Sequence, residues 1–169
     1  MDLHLAPPHG AGPVRLGMTL GETVAAVAPW GEPRVRTRPN RVPVTVSAAC
    51  DGVGVEVLLE EENTVTAVEL WWPGEGRDTS TRVLLEGVGM LRAPDADVFR
   101  TPADELLGRI AAQGWRVHDG DGEDPFVAGL SLGFTRRTSQ EVPRRPDGLP
   151  VRFTSVLVGG EDYYDVRLR

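Results

Sequence analysis

Between Val42 and Trp72 the apolar residues fall at every second position, and this alternation constrains the fold more than any other stretch of the chain. Val42, Val44, Val46 and Ala48 point one way. Asp51-Gly52 then supplies a two-residue hairpin turn. Val53, Val55, Val57 and Leu59 alternate after it, with Glu56 and Glu60 on the opposite face. Glu61-Glu62-Asn63 turns the chain again, and Thr64 to Trp72 forms a third strand with Val68, Leu70 and Trp72 on one side. Period-two burial of this kind predicts a three-stranded antiparallel meander with one dry and one wet face.

The dry face needs a cover, and two short amphipathic helices are predicted to provide it. Thr19 and Glu22 have the T-x-x-E spacing of a capping box, in which the hydroxyl accepts a free backbone N–H and the glutamate reaches back. Leu20, Val24 and Val27 then share a helix face, and Pro29 and Gly31 stop the helix. For the second helix, Thr101 is expected at the cap, Pro102 at the first helical position and Asp104 and Glu105 at the positive end. Leu106, Leu107 and Ile110 form its apolar face, and Gly114 closes it.

Other segments are less strongly patterned. Residues 1–13, rich in Pro and Gly, read as a loose tail, and 34–41, 73–81 and 136–150 as loops. Weak or short strands are expected over 82–91, at Trp115-Arg116-Val117, around Leu130, Leu132 and Phe134, from Phe153 to Val158 and at Asp165 to Leu168. The whole is a single α+β domain over 1–169: antiparallel sheet with two short helices, in two degenerate helix-then-strands halves, about 14–91 and 92–169. A chain of 169 residues buries roughly 70% of its unfolded surface, enough for a core without disulfide or metal.

Charge is unevenly spread over a chain whose net charge is −7. Residues 51–81 hold eight acidic side chains against one Arg and 82–135 hold nine against five, whereas 1–50 and 136–169 are mildly basic. An acidic middle disfavours nucleic acid and leaves room for a basic or an anionic partner, a basic protein being the one expected for the acidic meander. All 18 basic residues are Arg, a bias expected of a GC-rich genome rather than of phosphate recognition. The lone Cys50 has no partner for a disulfide, the opening residues lack the basic and apolar regions of a signal peptide, and no apolar run approaches ~18 residues. A cytoplasmic protein without membrane contact is expected.

Motifs that suggest chemistry fail on context. Gly129-Leu130-Ser131-Leu132-Gly133 matches G-x-S-x-G, but that motif needs a helix after the serine and a histidine further along, and His118 is the last histidine. Asp119 to Asp124 resembles the opening of a calcium loop, but Leu130 occupies the position of the bidentate glutamate. His118 lacks a recognisable partner, and Cys50 ends a strand as a small buried residue. No catalytic residue, metal ligand or cofactor is assigned.

Binding candidates remain. Arg34, Arg36, Arg38 and Arg41 form one cluster and Arg136, Arg137, Arg144 and Arg145 another; if the two meet, they make an anion site. Trp71-Trp72 and Tyr163-Tyr164 are adjacent aromatic pairs. Strand neighbours face opposite ways, so one of each pair should be outward, where it can anchor an interface.

The run Gly12 to Thr19 (GPVRLGMT), followed by Trp30-Gly31-Glu32-Pro33, resembles the opening of small bacterial domains of the BamE/SmpA-like and β-lactamase-inhibitor-protein-like type. The stretch from Ser155 through Asp165 is similar to the close of actinobacterial immunity-like proteins. The resemblance implies a non-enzymatic protein-binding module, immunity- or inhibitor-like. Lipoprotein members carry a lipidated cysteine that Cys50 does not match. Two other readings stand beside it. One is a small-molecule-binding protein or small cyclase/lyase-type enzyme of specialised metabolism, drawing on the four arginines with Trp115, His118 and Tyr163. The other is a homodimer formed through an unpaired edge strand.

Overall fold

In a computed structural model, residues 1–38, 41–60, 63–77, 79–86, 96–119 and 121–168 are described, with 38, 41–43 and 166 described for their backbone alone. The chain runs β1 (Asp2–Ala6), β2 (Gly10–Ala11), β3 (Val14–Arg15), α1 (Leu20–Val27), β4 (Arg34–Arg38), β5 (Arg41–Cys50), β6 (Val53–Leu59), β7 (Val65–Trp71), β8 (Arg82–Leu85), α2 (Ala103–Ala112), β9 (Phe126–Val127), β10 (Leu132–Thr135) and β11 (Ser155–Gly159). The α+β class read from the sequence is the one observed.

In the principal sheet a shift between Leu58 and Leu59 sets the register of β6 on β7, and the Asp51-Gly52 turn sets that of β5 on β6. Both residues are left-handed, with φ of 46° and 87°, the two-residue hairpin geometry whose twist matches its strands. Cys50 therefore lies opposite Val53, and Val46 opposite Val57. The same parity carries through β7, β11, β10 and β9. Val46, Val57, Val68, Val158, Leu132 and Val127 consequently form one cross-strand row, and all six are fully buried. Seven strands pair antiparallel in the order β4-β5-β6-β7-β11-β10-β9. The first meander and the second thus join through their last strands, β7 and β11.

The first helix packs on β5, and both helices bury their apolar faces in the core as their patterns require. In α1, Val27 is buried while Leu20 and Val24 pack against the core, and the Thr19–Glu22 capping box is formed. In α2, Leu106, Leu107 and Ile110 are buried together with Ala103. No helix among the described residues is long and apolar enough to cross a membrane.

Several expectations are corrected. Residues 1–13 are not a loose tail: β1, β2, β3 and β8 form a second sheet in the order β3-β2-β1-β8. Leu3 and Leu5 alternate inward beside Val83 and Leu85, a pattern too short to read amid the Pro and Gly around it. The β1–β8 pair is parallel, the long intervening chain supplying the crossover that such pairing needs. Of the segment 82–91, only the part up to Glu86 lies within the described residues.

The expected loop over 34–41 contains β4. Its described side chains are all exposed, and an edge strand accepts arginine at alternate positions because charge discourages further pairing. Thr101 does not cap α2; Pro102 holds that position without a side-chain bond, and the Ala103 N–H donates to the Val151 carbonyl instead. Trp115-Arg116-Val117 forms no strand, pairing being limited to a bridge between His118 and Phe126. Residues 165–167 make a single 3-10 turn rather than a strand.

Candidate functional site

The wet face of the seven-stranded sheet is where the charged and aromatic side chains collect. Once the dry-face register is set, the opposite parity is set with it. Arg34, Ser47, Glu56, Glu69, Leu157, Gly133 and Phe126 follow one another across the strands. The neighbouring row is Ala49, Gly54, Trp71, Ser155 and Thr135.

At the centre, Glu56 and Glu69 stand directly opposite each other. The Ser155 hydroxyl donates to Glu69 Oε1 at 2.8 Å. Burial raises the Glu69 carboxyl above the ordinary glutamate value; the Ser155 bond opposes that rise and the charge of Glu56 adds to it. Glu56 makes no hydrogen bond or ion pair among the described residues.

Two residues along β7 from Glu69, on the same face, Trp71 is 41% exposed. Its ring begins directly over Gly54, where a side chain would press against the indole. Trp72 faces the other way, packs against the core and lines a small apolar pocket with Phe99, Pro143 and Phe153. The tryptophan pair thus divides inward and outward as strand geometry demands.

The tyrosine pair behaves differently because its segment is a turn. Tyr164 is buried and Tyr163 half-buried, their rings edge-to-face at 5.2 Å. Both lie on the wet face: a methyl group at Gly133 would collide with the Tyr164 hydroxyl, and one at Gly159 with the Tyr163 ring. His118, Phe126 and Tyr164 stack in series at 4.8 and 5.0 Å. Over this stack sits Arg167, its guanidinium 5.9 Å from the Phe126 ring centre and 5.5 Å from that of Tyr164. Burial pushes the Tyr164 phenol well above its ordinary value, so it stays neutral.

Between Glu69 and Arg167 the face opens into a polar cleft of about 240 Å³, floored by Gly133 and Leu157 and also lined by Ser155 and Thr135. Arg137 and Asp124 flank it, paired with each other at 2.5 Å.

The arginine clusters do not meet. Arg34 and Arg36 lie on β4, and β10, which leads into Arg136 and Arg137, is five strand spacings away, roughly 24 Å. Arg38 and Arg41 pair as backbone neighbours near the hairpin end. The second cluster is spent internally. Arg136 is 1% exposed and bonds Asp104 at 2.9 Å over the face of Phe153. Arg145 bonds Asp104 and Asp147, and Arg144 donates to the carbonyls of Gly148 and Thr138.

Ser131 has the left-handed backbone of an elbow (φ 48°), not the extended strand conformation expected, but its buried hydroxyl donates to the Glu161 carbonyl and no helix follows. Asp121 accepts the N–H of Glu123 inside the acidic loop, and Arg137 binds Glu123 and Asp124. No group of three or more His, Cys, Asp or Glu among the described residues is placed to hold a metal. Cys50 is buried, and burial raises its thiol.

Sequence reading missed Glu69, Ser155, Phe126 and Arg167. Glu69 was beyond reach, since a register shift between Leu58 and Leu59 brings it opposite Glu56; the register at Leu59–Val65 alone would put Val68 there. Comparison with protein-family models, curated proteins and solved structures finds no match.

Proposed function

We propose that the chain is a non-enzymatic protein-binding module, immunity- or inhibitor-like, whose wet sheet face docks a partner carrying cationic side chains. The observation that carries this reading is the half-exposed Trp71 indole beside the Glu56–Glu69 carboxylates on the wet sheet face. An aromatic ring rigidly seated on a strand loses little entropy on binding, and such residues dominate interface energetics. Two adjacent carboxylates repel each other until a lysine or arginine comes between them, so the partner's charge is favoured by relief of that repulsion as well as by attraction. The Arg-bearing edge at β4 argues against sheet extension as the docking mode.

The test is co-expression with the products of adjacent genes, followed by titration of purified components. One product binds, and Glu56→Gln weakens it. If none binds, or if binding ignores Glu56, the reading fails.

A further inference from the structure

The cleft at the other end of the wet face has a different chemistry from the Trp71 surface. Of the charged groups that line it, Arg137 and Asp124 neutralise each other. What remains is one negative and one positive charge. Glu69 has its Oε1 engaged by Ser155, while Oε2 takes no bond among the described residues. Arg167 makes no hydrogen bond or ion pair among the described residues and is held in place by the Phe126 and Tyr164 rings. A guanidinium parked on aromatic faces keeps its five N–H donors directed outward, ready for an oxyanion.

Their spacing follows from the sheet. Glu69, Leu157 and Gly133 are cross-strand neighbours in succession, so the backbones of Glu69 and Gly133 are about 10 Å apart. Tyr164 lies over Gly133 and carries Arg167 on its ring. The two charges therefore approach the cleft from opposite sides. Between them the Tyr164 hydroxyl takes no hydrogen bond among the described residues. A simple anion entering here meets Glu69, and a simple cation meets Arg167. A molecule bearing both charges meets a complement at each end.

We propose that this cleft binds a small zwitterion of the amino-acid class, its ammonium against Glu69 and its carboxylate against Arg167. At about 240 Å³ the cleft is smaller than sites for drug-sized ligands, which begin near ~300 Å³, and suits a molecule of few heavy atoms. This goes beyond protein binding: Glu69 belongs to both surfaces, but Arg167 lines the cleft while Trp71 and Glu56 do not, so Arg167→Gln tests the cleft separately.

The experiment is calorimetric titration of the full chain with glycine, β-alanine, 4-aminobutyrate and 5-aminovalerate, which step the charge separation, and with butylamine and butyrate as single-charge controls. At least one zwitterion binds saturably, about tenfold or more tighter than either control. Glu69→Gln and Arg167→Gln each weaken it at least about tenfold, whereas Trp71→Ala leaves it unchanged. Arg167 is exposed, so its substitution does not threaten the fold. The proposal is overturned if no zwitterion binds at up to about 10 mM, if a control binds as tightly, or if binding survives the Glu69 and Arg167 substitutions.

Discussion

Glu56 and Glu69 face each other across the β6–β7 pair, two carboxylates in register on the open side of the sheet. Like charges at directly opposed positions cost stability, and nothing in the fold of the chain alone requires them there. Replacing Glu56→Gln relieves the repulsion without changing shape. It should raise stability by a few tenths to about 1 kcal/mol, read as a higher urea midpoint at unchanged slope. Unchanged or lower stability would show that the pair is not strained.

Glu69 should leave a signature in the pH dependence of folding. Its carboxyl lies above the ordinary glutamate value in the folded chain. Below that ordinary value both states hold the proton. As pH rises through it, the unfolded chain releases its proton first, and stability falls until the raised folded value is passed. Glu69→Gln removes this loss. The stability gap between variant and parent should widen with pH across that window and then level off; a gap constant with pH contradicts the assignment.

How much of this was legible in the sequence depended on how far each pattern reached. The stretch from Val44 to Leu70 declared its strands and faces through alternating residues and a turn with one preferred geometry, whereas the register shift between Leu58 and Leu59 left no mark in the pattern. Leu3 and Leu5 had only one another, and their partner β8 lies about 80 residues away, beyond any local pattern. The paired tryptophans sort correctly because they lie at a strand end. Tyr163 and Tyr164 do not, because the segment is a turn whose orientation is dictated by bare glycines on other strands. Arg167 gave no local signal: its place depends on rings from β9 and from its own turn, brought together by tertiary packing alone.

Gly133 and Tyr164 should behave as a coupled pair. Gly133→Ala places a methyl against the phenol oxygen and costs about 1–3 kcal/mol by overpacking. Tyr164→Phe removes that oxygen but leaves the ring carbon Cζ 2.6 Å from the added methyl, so the double variant should recover part of the loss. Simple additivity in a double-mutant cycle would mean that the tyrosine does not lie where the fold puts it.

Arg136 and Asp104 predict an asymmetry. The guanidinium is buried with Nε and Nη1 unpartnered, whereas Asp104 is 57% exposed. Arg136→Met exchanges a costly buried charge for apolar volume and should be near neutral or stabilising. Asp104→Asn strands the buried cation and should cost about 1–2 kcal/mol, less than a fully buried pair because solvent screens the carboxylate. Thermal unfolding of the two variants checks the order, and Arg136→Met proving the more damaging would reverse the account.

The central claim is that the wet face of the seven-stranded sheet is the working surface, with Trp71 as its anchor. Its most direct measurement is the affinity of Trp71→Ala for the cognate partner identified among adjacent gene products, alongside its unfolding free energy. A ring only 41% exposed and packed over Gly54 also contributes to folding, so stability should fall by about 1–2 kcal/mol with the protein still folded. Affinity should fall at least about 30-fold, the loss of an interface anchor. Full affinity in a folded Trp71→Ala protein would place the working surface elsewhere.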